Sequence, residues 1–434
     1  MQRNVGFEFE VGSYPAYRLG RAMTAEQLNG ETALTSADED PLAKGDVLGR
    51  GTGFEMQVDQ GRDDFHLEFV TPGNGFPETK SGRAALKVAL RGMEAMGNEV
   101  TSKERAATAR FRYPEGLETP VVRTDEISGG IGTLPETLIE VSGGQMHAEP
   151  QTTAGVRLDQ IPTLMKSLGF TPGESMQSRQ SRATQVHALS GKSGEIEKPH
   201  YANSEASARG AIGRFRNQVP VQPGFGSKGL VGLTALIYTY LNQGTREVLY
   251  YPKALFPLLG ISNFAVMFAH LHDDDKAPFL EDSQRFVDIN LDAAGMVGTG
   301  AAAFFSGGFA DQLTNMSPED SQQVALALGE ITRGDWLGGI PLGTDQLTSS
   351  VSGQPALESM GRFDRGEYVG QTHRFGKTTT TWAPVLELRR MGSNVGINNW
   401  TDLGLDVFDF LWKLNDLKTG TFEQRRYNAA HQKP

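Results

Sequence analysis

The chain has 434 residues, a formal net charge of −11 at pH 7, 38% hydrophobic and 21% charged residues, and no cysteine. That length exceeds the usual size of one hydrophobic core, so two or three sub-regions are expected. The negative charge argues against nonspecific nucleic-acid binding and against an anionic membrane surface, and the missing thiols exclude disulfides, thiolate catalysis and Cys-based metal sites.

In chain order, the first element is "VGFEFEVG", residues 5–12, where Val5, Phe7, Phe9 and Val11 alternate with Gly6, Glu8, Glu10 and Gly12. Period two predicts a strand. It puts Glu8 and Glu10 on one face, about 7 Å apart at roughly 3.3 Å per residue. An edge strand with a solvated polar face would look the same. Residues 20–53 are polar and read as a long loop with a short helix near Thr24 to Leu28. "FEMQVD" at 54–59 and "FHLEFV" at 65–70 read as strands, joined into a hairpin by the turn chemistry of "QGRDD". A helix is predicted over 82–97, with Leu86, Ala89, Leu90, Met93 and Met96 on one stripe.

Strands follow at 119–124 and 136–142 and within "GGQMHAEPQTTAGVRL", then a short helix at 159–168. The segment 171–211 is rich in Ser, Gln, Gly and Lys and reads as a mobile loop and natural lid. Helices are predicted at 228–243, 253–271 and 318–333. "GMVGTGAAAFFSGG" is glycine-rich but lacks the Lys-Ser/Thr ending of a phosphate-binding loop. Residues 334–380 read mostly as loop, ahead of the strand "PVLELRRM" and an amphipathic helix at 401–418.

Three further strands share the pattern of the first. Phe65, Leu67 and Phe69 leave His66 and Glu68 on the opposite face; Met146 and Ala148 leave Gln145, His147 and Glu149; Leu386 and Leu388 leave Glu387 and Arg389. Like charges gathered in a crevice raise one another's pKa and are costly without cations. Carboxylates with one imidazole suit Mg²⁺ or Mn²⁺, and two such ions can bridge a polyphosphate.

These motifs, in this order, resemble the carboxylate–amine ligases of the glutamine synthetase and glutamate–cysteine ligase superfamily, in style the bacterial amidoligase branch. The resemblance rests on "GFEFE", "VDQGRDDFHLEFVTPG", "QMHAEPQTTAGV" and "LELRR". It implies an α+β fold whose curved, mainly antiparallel sheet carries the site on one face and helices on the other. It implies metal ligation by Glu8, Glu10, Glu68, His147 and Glu387, with Arg389 and Glu68 in catalysis and Arg389 toward the nucleotide; Arg374 and Lys377 are candidate phosphate-reaching cations read from the residues themselves, with ordinary surface charge as the plainer reading. The expected domain is a single one over 1–434. Its core is discontinuous (about 1–170 and 375–420), with a helical insertion at about 212–333 and flexible loops at 171–211 and 334–375.

The implied activity is Mg²⁺- and ATP-dependent formation of an acyl phosphate from a carboxylate, followed by attack of an amine. The partners would be small-molecule, peptide or protein carboxylates and amines, with no nucleic acid and no membrane. A middle segment departs from the family: Ile261, Ser262 and Asn263 stand where a charged run is expected. The rival readings are a phosphotransferase or phosphohydrolase on the same fold, and a non-catalytic scaffold of a phage or secretion system. Use as a protein-modifying effector or toxin is compatible with the ligase reading. The remaining polar residues have plainer alternatives: His66 on a solvated face, Glu149 at the solvent end of its strand, Asp59 in turn capping, and Lys228, Lys253 and Arg390 as surface charges. No signal peptide is visible and no run of about 20 apolar residues occurs. The expected compartment is the cytoplasm, although a secreted effector without a cleaved signal would share these features.

Overall fold

The computed structural model describes residues 4–19, 39–40, 42–60, 65–73, 75–106, 110–112, 118–131, 137–140, 145–168, 198–244, 258–260, 262–304, 331–345, 367–374, 377–388 and 395–415. They form an α+β protein with an antiparallel sheet. The strands are β1 Asn4–Leu19, β2 Glu39–Asp40, β3 Val47–Gly51, β4 Phe54–Gln60, β5 Phe65–Val70 and β6 Phe76–Pro77, then helix α1 Lys80–Ala106. β7 Arg110–Arg112, β8 Glu118–Arg123, β9 Thr137–Glu140 and β10 His147–Gly155 precede helices α2 Ile161–Leu168, α3 Lys198–Gln218 and α4 Lys228–Gly244. β11 Leu258–Gly260, α5 Phe264–Ala269, α6 Asp273–Glu281, α7 Gln284–Ala294 and α8 Arg333–Gly339 follow. The chain continues through β12 Glu367–Arg374, β13 Lys377–Ala383, β14 Val385–Leu388, β15 Val395–Gly396 and α9 Trp400–Asn415.

Two compact units emerge, one from Asn4–Thr152 with Arg390–Phe408, the other from Met1–Arg3, Thr153–Arg389 and Asp409–Pro434. In the first, strands run in the order β10-β1-β5-β4-β3. Alternation in β1 sends Val5, Phe7, Phe9 and Val11 into the core, where they meet Leu67 and Phe69 of β5 and Met56 and Val58 of β4. α1 adds its Leu86, Ala89, Leu90 and Met93 stripe to that core. Trp400 opens α9 and stacks on Phe9 at 4.7 Å, with Phe69 edge-on at 5.4 Å. α1 starts where Thr79 accepts a hydrogen bond from Gly82 N at 3.0 Å, the usual N-cap arrangement. It runs past the predicted end at 97 because Val100 and Thr101 continue the buried stripe.

In the second unit α3, α4 and α7 pack around Phe215, Phe225, Phe279 and Phe286, whose neighbouring ring centroids lie 5.2–5.8 Å apart. A second aromatic group joins Tyr240, Phe264, Phe304 and Trp336. Asp345 closes it, accepting from the Trp336 indole Nε1 at 2.9 Å and from Phe264 N at 3.0 Å. β11 pairs antiparallel with β14, and β12 with β13.

Four local expectations are corrected. The helix α3 covers 198–211, read from sequence as loop; its buried stripe is Ser204, Ala208, Ala211, Ile212 and Phe215, too small and polar to stand out. Of the helix expected over 253–271, residues 258–260 form strand β11 and 264–269 the short α5, because 258–260 hydrogen-bond to β14 and Asn263 caps a new helix through Ala265 N and Val266 N; residues 253–257 lie outside the described residues. The segment 334–380, read as loop, holds most of α8 and the β12–β13 hairpin. The loop read over 20–53 contains β2 and β3. The helix near Thr24 to Leu28, residues 171–197 and the predicted helix as far as residue 330 lie outside the described residues. Among the described residues no helix is long and apolar enough to cross a membrane.

Candidate functional site

The first unit concentrates acid on the face of its sheet that is turned away from α1. Register fixes the neighbours: Glu10 lies directly opposite Glu68, Glu8 opposite Val70, Gln57 opposite Glu68, and Asp59 opposite His66. Residues opposite one another in an antiparallel pair share a face. Glu8, Glu10, Gln57, Asp59, His66 and Glu68 therefore share one face, with the Phe9, Phe69, Met56 and Val58 core on the other. At the start of β10, Ala148 and the preceding Met146 are buried while His147 is half-buried and Glu149 exposed, so the latter two point the same way as the carboxylates.

Glu68 is the innermost acid, 4% exposed, and its Oε1 accepts from Gln57 Nε2 at 2.9 Å. Burial, then the charges of Asp59 and Glu8, push its carboxyl up to about 8, against smaller opposing effects of Lys44 and Gln57. Lys44 lies in a tight turn before β3, with its ammonium on the Asp59 carboxylate. Burial works to lower its pKa; the hydrogen bond and charge of Asp59, with the charges of Glu68 and Glu10, leave it raised. Among the described residues, the buried His66 Nδ1 has no hydrogen-bond partner.

The structure thus brings Glu8, Glu10 and Glu68 onto one face of adjacent strands, with His147 on the strand next to β1. Glu387 is buried on β14 of the other unit, opposite Leu259 of β11. Arg374 and Lys377 are partners at the turn of the β12–β13 hairpin. Lys228 is the exposed first residue of α4. Arg389, Arg390 and Lys253 lie outside the described residues.

Sequence reasoning overlooked Gln57 and Lys44. Gln57 shares the phase of Glu55 and Asp59 in "FEMQVD" and could have been found by the alternation used elsewhere. Lys44 had no periodic signal, because its place depends on the turn folding back over β4. By donor chemistry the carboxylates suit a hard divalent cation such as Mg²⁺ or Mn²⁺. Among the described residues, no group of three or more His, Asp and Glu side chains is already placed to hold one. No family model, no curated protein and no solved structure matches this chain.

Proposed function

We propose that the protein is an ATP- and divalent-cation-dependent carboxylate–amine ligase with a glutamine synthetase-like sheet, and that Glu8, Glu10 and Glu68 are its cation-holding carboxylates. The observation that carries the reading is the buried Glu68 beside Glu10, with its carboxyl pushed up to about 8. A cation is the simplest relief for such a concentration of like charge. Supporting it are the order and strand phase of "GFEFE", "FHLEFV", "QMHAEP" and "LELRR".

The half-buried Glu8 and Glu10 would have to turn their carboxylates toward Glu68 on cation uptake, with His147 completing the set. Gln57 holds Glu68 from the side by its amide hydrogen bond. The cation, when bound, supplies charge neutralisation at phosphate oxygens.

The test is calorimetric titration with Mn²⁺ and with Mg²⁺ plus a nonhydrolysable ATP analogue, paired with ADP release over a library of carboxylates and amines. The expected outcome is ADP formation only when carboxylate and amine are both present. Glu10→Gln and Glu68→Gln are expected to remove cation uptake while leaving the fold intact. ADP released from ATP alone would put a phosphohydrolase in the ligase's place. Cation uptake unchanged in both variants would end the site assignment.

A further inference from the structure

A lysine sits on the face that the proposed function gives to a divalent cation. The turn that delivers it is closely specified. Ala43 N donates to Asp46 Oδ2 at 2.9 Å, Asp46 N to Ala43 O at 3.0 Å, and Gly45, at φ 90°, donates its N–H to Val58 O at 2.8 Å. Val58 N in turn donates to Asp46 O at 2.9 Å, so the turn is stitched to β4 on both sides. A residue other than glycine would be strained at that φ. The stitching fixes where Lys44 starts. Its side chain remains 62% exposed while its ammonium reaches Asp59, whose side chain is only 17% exposed.

Asp59 stands opposite His66, two residues along β5 from Glu68, and Glu68 stands opposite Glu10. The Lys44 ammonium thus lies within the field of Asp59, Glu68 and Glu10. A surface lysine held only by chance contact would gain little from one exposed carboxylate. Here a single positive charge answers several partly buried negative ones, on a turn built to present it.

We propose that Lys44 is the resident counter-cation of this carboxylate face, and that a divalent cation entering the face displaces it. The inference rests on the cation reading of Glu8, Glu10 and Glu68 given above. It assigns Lys44 a role of its own: an internal competitor that keeps the acids folded in the absence of metal and sets the threshold for cation uptake. On displacement the ammonium swings outward on its flexible stem, leaving Asp59 to the incoming ion or its water. Because Lys44 is a point charge on four methylenes, such release needs no backbone movement.

The experiment uses the full chain and Mn²⁺ as probe. Acetylation of Lys44 by an amine-reactive ester, followed by mass spectrometry, reports whether the ammonium is held. Slow labelling is expected for the parent without metal and several-fold faster labelling with saturating Mn²⁺. Asp59→Asn is expected to label fast without metal, which tests the tether independently of any cation. Lys44→Met is expected to bind Mn²⁺ about tenfold tighter, the effect of removing one unit charge near the ion in a largely solvated site. Lys44→Arg, which keeps the charge, should stay near the parent. Mn²⁺ binding without change in Lys44 labelling, or without tightening in Lys44→Met, would overturn the inference and leave the cation reading standing. No Mn²⁺ binding by parent or Lys44→Met would overturn both. Fast Lys44 labelling in the metal-free parent would overturn the tether and with it the inference, leaving the cation reading standing.

Discussion

At the scale of single residues, Glu68 ties stability to pH. Its folded-state pKa of about 8 stands above the ordinary value of 4.5 because burial and the neighbouring Asp59 and Glu8 charges disfavour the ionised form. The folded protein therefore holds the proton more tightly than the unfolded chain. The resulting stabilisation of the protonated fold is in force below about pH 4.5 and is lost as pH rises toward and through 8. At 1.36 kcal/mol per pKa unit, the loss amounts to at most about 5 kcal/mol. In metal-free buffer Glu68→Gln should match the parent at pH 4.5 and exceed it in melting temperature at pH 9. Thermal melts across that range give the comparison; parallel curves for the two proteins would contradict the buried, acid-crowded environment of this side chain. Saturating Mn²⁺ should shrink the difference by stabilising the ionised parent.

At the scale of elements, two fastenings make specific demands. The end of β5 is tied to β1 by Thr71: Phe7 N donates to its Oγ1 at 2.8 Å, the hydroxyl donates to Phe7 O at 3.2 Å, and Thr71 N donates to the same carbonyl at 2.9 Å. Thr71→Ala leaves the buried Phe7 N–H without its side-chain acceptor, at a cost of about 1 to 3 kcal/mol. Hydrogen exchange at Phe7 should accelerate, and Thr71→Ser should restore protection. The other fastening is Trp400 on Phe9 and Phe69. Trp400→Ala removes a fully buried indole and should cost about 3 to 5 kcal/mol by denaturant unfolding. A cost under about 1 kcal/mol would show that α9 does not complete this core. In the other unit, Asp345→Ala would strand the Trp336 indole and the Phe264 amide together, and a fall in indole protection is the direct readout.

At the scale of the whole molecule, charge and composition bear on partners. With a formal net charge of −11, the chain lacks the positive surplus that drives nonspecific binding to nucleic acid. It is expected to pass through a heparin or double-stranded DNA column at low salt without retention. Retention that falls steeply with added salt would reveal a concentrated basic surface that the net charge conceals. A small anionic ligand such as ATP would need local cations to overcome the same charge. On the ligase proposal, any ATP binding is therefore expected to require Mg²⁺, which titration with and without chelator would measure.

What the sequence by itself determined is whatever depends on local period. Phe7, Phe9 and Val11 against Glu8 and Glu10, and Leu67 and Phe69 against Glu68, announce strands with one buried and one acidic face. The α1 stripe announces its helix in the same way. The β4–β5 hairpin was legible too, because turn residues separate two alternating runs. What only the tertiary structure decided is whatever depends on pairing between distant segments. Leu258–Gly260 looked helical until β14, more than a hundred residues later, supplied its hydrogen-bond partners. The stripe of α3 became a helix face by packing small residues against α4. The opposition of Glu10 and Glu68, and the reach of Lys44 to Asp59, depend on register and on a folded-back turn. Alternation tells which way a side chain points along its own strand. Which charge it meets is set by the hydrogen-bond register between strands, and no local pattern carries that information.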